Sequence, residues 1–193
     1  QSLPAAPQRP FTDTITTPNS PGDLVFGTYL LGGPPRLETV YDKITGMALD
    51  AAGNVYVVGE TNDPNFPVPP GLEQDETPGM RNTSIFVTKL GPGGSTLIYS
   101  TLLSGEVAGL AVGSAGSVFL TGVTSDENCP VTPGAYATLC GISDGGNCRD
   151  AFVVKLAPDG QVAYSTFLGG SVGGLNNAED RGLGLAVDAV GAI

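Results

Sequence analysis

The chain has 193 residues, among them 29 Gly and 16 Pro, and a formal net charge of −11 with only 8 Lys plus Arg. Short strands joined by tight turns suit that composition, and no long stretch keeps helical periodicity clear of Gly or Pro, so an all-β class is expected. The acidic balance leaves no basic footprint for nucleic acid or an anionic membrane surface. The absence of histidine removes the usual general base, the Ser-His and Cys-His pairs, and the commonest transition-metal ligand.

Residues 1–23, rich in Pro and Thr, read as an extended arm. "LVFGTYLLGG" (Leu24–Gly33) looks like the last strand of a repeat. "GMALDAAGNVYVVGETNDPNFPVPPG" (Gly46–Gly71) then holds two alternating strands around "AAG". "IFVTKLGPGGSTLIYSTLLSG" (Ile85–Gly105) holds two more around "GPGGS". Period-two alternation buries one face of each strand, and the Gly-containing turns supply positive φ where the chain reverses.

The same two hairpins return downstream. "GLAVGSAGSVFLTGVTSDENCPVTPG" (Gly109–Gly134) matches the first without a gap, and "AFVVKLAPDGQVAYSTFLGG" (Ala151–Gly170) matches the second with one residue fewer in the turn. Tyr99 and Tyr164 are equivalent, and 164 − 99 = 65 residues sets the length of a unit. "GLAVDAVGAI" (Gly184–Ile193) opens a third copy. Val107–Ser125 carries no charge, but its four glycines fit a hairpin better than a membrane helix. Asp50 and Asp188, each just before a Gly turn, are expected to accept hydrogen bonds from turn amides.

Four antiparallel strands per unit, repeated at a fixed period, predict β-propeller blades. The run "YSTFLGG…DRGLGLAVDA.G", with "NVYVVGETNDPNFPV.PG" and "DAFVVKLAPDG", resembles the bacterial β-propeller repeat called SBBP, over roughly Leu24–Ile193. Departures are modest: Cys129 stands where the first copy has Phe66, and Gly113 replaces the Asp before the turn. The expected layout is an incomplete propeller over 24–193, with complete blades at about 44–103 and 107–168 and partial blades at 24–33 and 182–193. A closed ring needs more blades. The sequence therefore predicts either a segment of a longer propeller or a subunit whose unfinished hairpin is completed by another copy. Phe86, Phe152, Tyr99, Tyr164, Tyr56 and Phe119 are assigned to packing between blades.

Sites with chemistry are few. Cys140 and Cys148 bracket a Gly-rich loop and are expected to form a disulfide, with Cys129–Cys140 as the rival pairing and Cys129 otherwise a small buried hydrophobe. The acidic loops "TNDPN", "TSDEN" and "SDGGNCRD" offer hard oxygen ligands, but none has the spacing of a known calcium loop, and solvated turns are the expectation. Glu60, Asp63, Glu179 and Asp180 are raw material for carboxylate chemistry on glycans, though nothing in the sequence pairs them. Asn82-Thr83-Ser84 is a glycosylation acceptor sequence.

The expected role is a secreted or surface-displayed scaffold or recognition module, extracellular or periplasmic, without catalytic, cofactor or metal residues. Its expected partners are other blades of a longer chain, other copies of itself, or glycan or protein at the rim loops. Nucleic acid and membrane insertion are not expected. Two alternatives stand beside it: a subunit of an extracellular filament built by strand exchange, and a carbohydrate-active enzyme using loop carboxylates.

Overall fold

A computed structural model of the chain describes residues 27, 28, 30, 41–69, 83–126, 129, 131–140, 149–170, 180–188 and 190–193. The expected arm at 1–23 and most of the segment at 24–33 lie outside them. Among the described residues there is no helix, and eight strands form two four-stranded antiparallel sheets. The first sheet contains β1 (Asp42–Leu49), β2 (Val55–Thr61), β3 (Ser84–Leu90) and β4 (Leu97–Ser104). The second contains β5 (Glu106–Val112), β6 (Val118–Thr124), β7 (Asp150–Leu156) and β8 (Val162–Leu168). Each sheet runs in simple meander order, strand beside successive strand; tight hairpins join β1 to β2, β3 to β4, β5 to β6 and β7 to β8, and long connections join β2 to β3 and β6 to β7.

The two sheets repeat one another down to their irregularities. β1 and β2 slip register between Ile44 and Gly46, and β5 and β6 slip at the equivalent Val107 and Gly109. A second slip falls between Lys89 and Leu90 in β3, and between Lys155 and Leu156 in β7. Such bulges insert one residue and increase the local twist. The shorter third turn is also as the sequence predicts. Gly91 N–H donates to Thr96 O, whereas Ala157 N–H donates to Gln161 O, one residue sooner.

Turn chemistry explains where the first hairpins reverse. One Asp50 carboxylate oxygen accepts from the amides of Ala52 and Asn54, both at 2.9 Å. Asp188 repeats the pattern with Val190 and Ala192 at 3.0 and 2.8 Å. The middle copy has Gly113 there and keeps only the backbone pair, Gly113 N–H to Ser117 O and Gly116 N–H to Gly113 O. The glycine closing each turn has a φ near +80°: Gly53 at 81°, Gly116 at 80° and Gly191 at 85°. A side chain would be strained there.

The main core lies between the sheets. We call front the face of the first sheet that carries Tyr56, Val58, Ile85, Val87, Tyr99 and Leu103. It packs against the back of the second sheet, where Val107, Val118, Leu120, Phe152, Val154 and Leu156 are buried. β5 lies across β1, β2 and β3, and Leu110 approaches Gly46. Two turns of the second sheet complete the cover. Gly116 sits against the Tyr56 hydroxyl, and Gly160 sits against the Tyr99 ring and accepts a hydrogen bond from Thr101 Oγ1 at 2.7 Å.

Phe86 points to the back of the first sheet, the face from which its equivalent Phe152 enters the main core; it stacks on Phe66 at 4.5 Å and joins a separate cluster with Val55, Val57, Leu90 and Leu102, against which Leu30 packs. Strand alternation is the reason: residues on either side of Phe86 face the second sheet, so Phe86 cannot.

Candidate functional site: the open front of the second sheet

The front of the second sheet carries the equivalents of the residues that the second sheet covers on the first. Phe119, Val153, Lys155, Tyr164, Thr166 and Leu168 correspond to Tyr56, Val87, Lys89, Tyr99, Thr101 and Leu103. On the first sheet these side chains are buried in the sheet-to-sheet contact. On the second they line a cleft of about 590 Å³, with Tyr136, Gly191 and Ile193 at its border.

Exposure measures the difference. Leu103 is 2% exposed and Leu168 is 43% exposed, and Tyr99 is buried while Tyr164 is only half-buried. Tyr164, assigned to packing between blades, thus lacks a covering sheet among the described residues. Lys89 stretches over the Tyr56 ring at 5.0 Å and is nearly buried, and Lys155 lies over Phe119 at 5.1 Å in a more open setting. The aliphatic stem of each lysine covers apolar surface while its ammonium meets a ring face.

Part of this front is already occupied. Asp180–Ile193 lies against it as β5 lies on the first sheet, with Gly184 approaching Gly109 and Gly182 N–H donating to Gly122 O at 3.0 Å. Arg181 pairs with Glu106 at 3.3 Å, and Asp180 N–H reaches Arg149 O. The segment closes its Asp188 turn but forms no ladder, because no described residue runs beside it as β6 runs beside β5.

The outer edge of β8 is covered by residues 131–137. Thr132 N–H donates to Ser165 O at 3.2 Å, Ser165 N–H donates to Thr132 Oγ1 at 3.0 Å, and Phe167 N–H donates to Ala137 O at 3.3 Å. An edge strand with filled hydrogen-bonding groups no longer offers itself as a pairing template. The same loop takes the Thr166 hydroxyl, which donates to Ala137 O at 3.2 Å. Tyr136 within it and Leu139 beyond it are each 82% exposed.

The electrostatic detail centres on Asp50. Its other carboxylate oxygen accepts from Asn54 Nδ2 at 2.7 Å and from the Tyr56 hydroxyl at 3.0 Å. The Asn54 side chain, then the turn amides and Tyr56, hold the Asp50 carboxyl down at about 2 against some opposing desolvation. Burial, then the Asp50 hydrogen bond, pushes the Tyr56 phenol up to about 12. Burial also pushes the Tyr99 phenol up. In the second copy Gly113 and Phe119 replace this Asp–Tyr pair together, so no phenol is left without its acceptor.

The remaining sequence candidates are scattered. Glu60 pairs with Lys43 at 3.3 Å. Asp63 is buried and accepts from the Asn65 amide at 2.8 Å, and an Asp180 carboxylate oxygen accepts from the Gly170 amide at 2.9 Å. Glu179, Asn82 and Cys148 lie outside the described residues. Among the described residues no group of three or more His, Cys, Asp or Glu is placed to hold a metal.

Cys129 occupies the place of Phe66. Phe66 N–H donates to Asp63 O and Cys129 N–H donates to Asp126 O, both at 3.1 Å, and both side chains are buried. Cys129 packs with Cys140 and Phe167.

One compensation was not anticipated from the sequence. Asp150 is buried at the position of Ser84, and Gly169 faces it at the position of Ser104. A Cβ on Gly169 would collide with the carboxyl. The paired change Ser-Ser to Asp-Gly is visible once the two copies are aligned and β7 is set beside β8.

Residues 28–67 match a family model described as a beta-propeller repeat, SBBP. No curated protein matches the chain. The matched stretch contains β1, β2 and the Asp50 turn, the parts that recur in β5, β6 and, for the turn, around Asp188. Residues 28–67 thus carry a beta-propeller repeat of the SBBP type, set in the first of two four-stranded meander sheets stacked front to back.

Proposed function

We propose that the chain is a secreted or cell-surface scaffold that recognises partners by contact and performs no chemistry of its own. The observation that carries this reading is the cleft, lined by aromatic, aliphatic, hydroxyl and lysine side chains with no carboxylate among them. The carboxylates of Glu60, Asp63 and Asp180 are each spent on a local ion pair or amide, away from one another's bonding partners. Tyr136 and Leu139 add an exposed apolar rim, where a loop on a rigid sheet is suited to binding a protein or glycan.

The reading includes a Cys140–Cys148 disulfide, a bond that suits an exported chain in an oxidising compartment. Two assays test the reading. Protease added outside intact producing cells should cleave the chain. Incubation with a panel of polysaccharides should release no reducing ends. Release that disappears in Asp63→Asn or Asp180→Asn would overturn the non-enzymatic role, and a chain protected until the cells are lysed would overturn the location.

A further inference from the structure

We draw no further inference here: the strongest candidate, the cross-strand row of Tyr56, Lys89 and Tyr99 in the seam between the two sheets, where the buried Tyr99 hydroxyl has no hydrogen-bond partner among the described residues, lies under the Gly116 and Gly160 turns with nothing in the structure to show what ligand would reach it.

Discussion

Substituting Gly160 by Ala probes the stack of sheets directly. Gly160 has a φ of 90°, and a Cβ there would stand 2.7 Å from the Tyr99 ring and 3.1 Å from Thr101 Oγ1. Gly134 is the control: its φ is 86°, and a Cβ there would meet nothing within 4 Å. Both variants carry the backbone cost of a left-handed alanine, about 1–2 kcal/mol, and both gain the same small entropic benefit in the unfolded chain. Only Gly160→Ala must also push a buried tyrosine across the sheet-to-sheet contact. Overpacking of that kind costs about 1–3 kcal/mol more. Urea unfolding at constant slope should therefore place the midpoint of Gly160→Ala well below that of Gly134→Ala. Equal midpoints would mean that the Ala157–Gln161 turn does not rest on Tyr99, and the front-to-back packing would have to be abandoned.

Tyr56→Phe should cost about 1 kcal/mol, because it removes a donor to Asp50, whereas Tyr99→Phe should cost nothing, since the Tyr99 hydroxyl has no hydrogen-bond partner among the described residues. Adding Asp50→Gly to Tyr56→Phe recreates the Gly113–Phe119 arrangement and should cost less than the sum of the single changes, which a double-mutant cycle reads. The folded-state pKa of Asp50 is depressed to about 2 from 3.8, so its contribution is present above about pH 4 and lost as pH falls toward 2; Asp50→Asn should flatten the acid limb of a melting-temperature profile. The Tyr56 pKa is raised to about 12 from 10.0, so its contribution is whole below pH 10 and lost as pH rises toward 12; Tyr56→Phe should flatten the alkaline limb. Non-reducing peptide mapping should recover Cys140 linked to Cys148 with Cys129 as a thiol, and reduction should lower stability by about 2–3 kcal/mol; a Cys129–Cys140 peptide would refute the pairing.

The hairpins and their turns were legible because they are local. A Gly closing the turn after Asp50 or Asp188 fixes the reversal, and alternation on either side of the Asp50 turn fixes the pairing register of β1 with β2. The repeat extended that reading: aligning Cys129 with Phe66 correctly placed a buried residue with the same backbone hydrogen bond. Function was less legible. Tyr99 and Tyr164 are the same residue in the same motif, yet one is sealed and the other borders a cleft. Nothing within a repeat records whether another sheet lies on it.

Sequence alone determined the hairpins and the turn carboxylates, since each depends on neighbours a few residues apart, and the recurrence of the motif placed the hairpins in one repeat. Tertiary structure decided which faces close and which stay open. It set Gly160 on Tyr99 and left Leu168, Met47 and Leu49 uncovered. Burial is a property of two surfaces in contact, and an identical strand is core or interface according to what is stacked upon it.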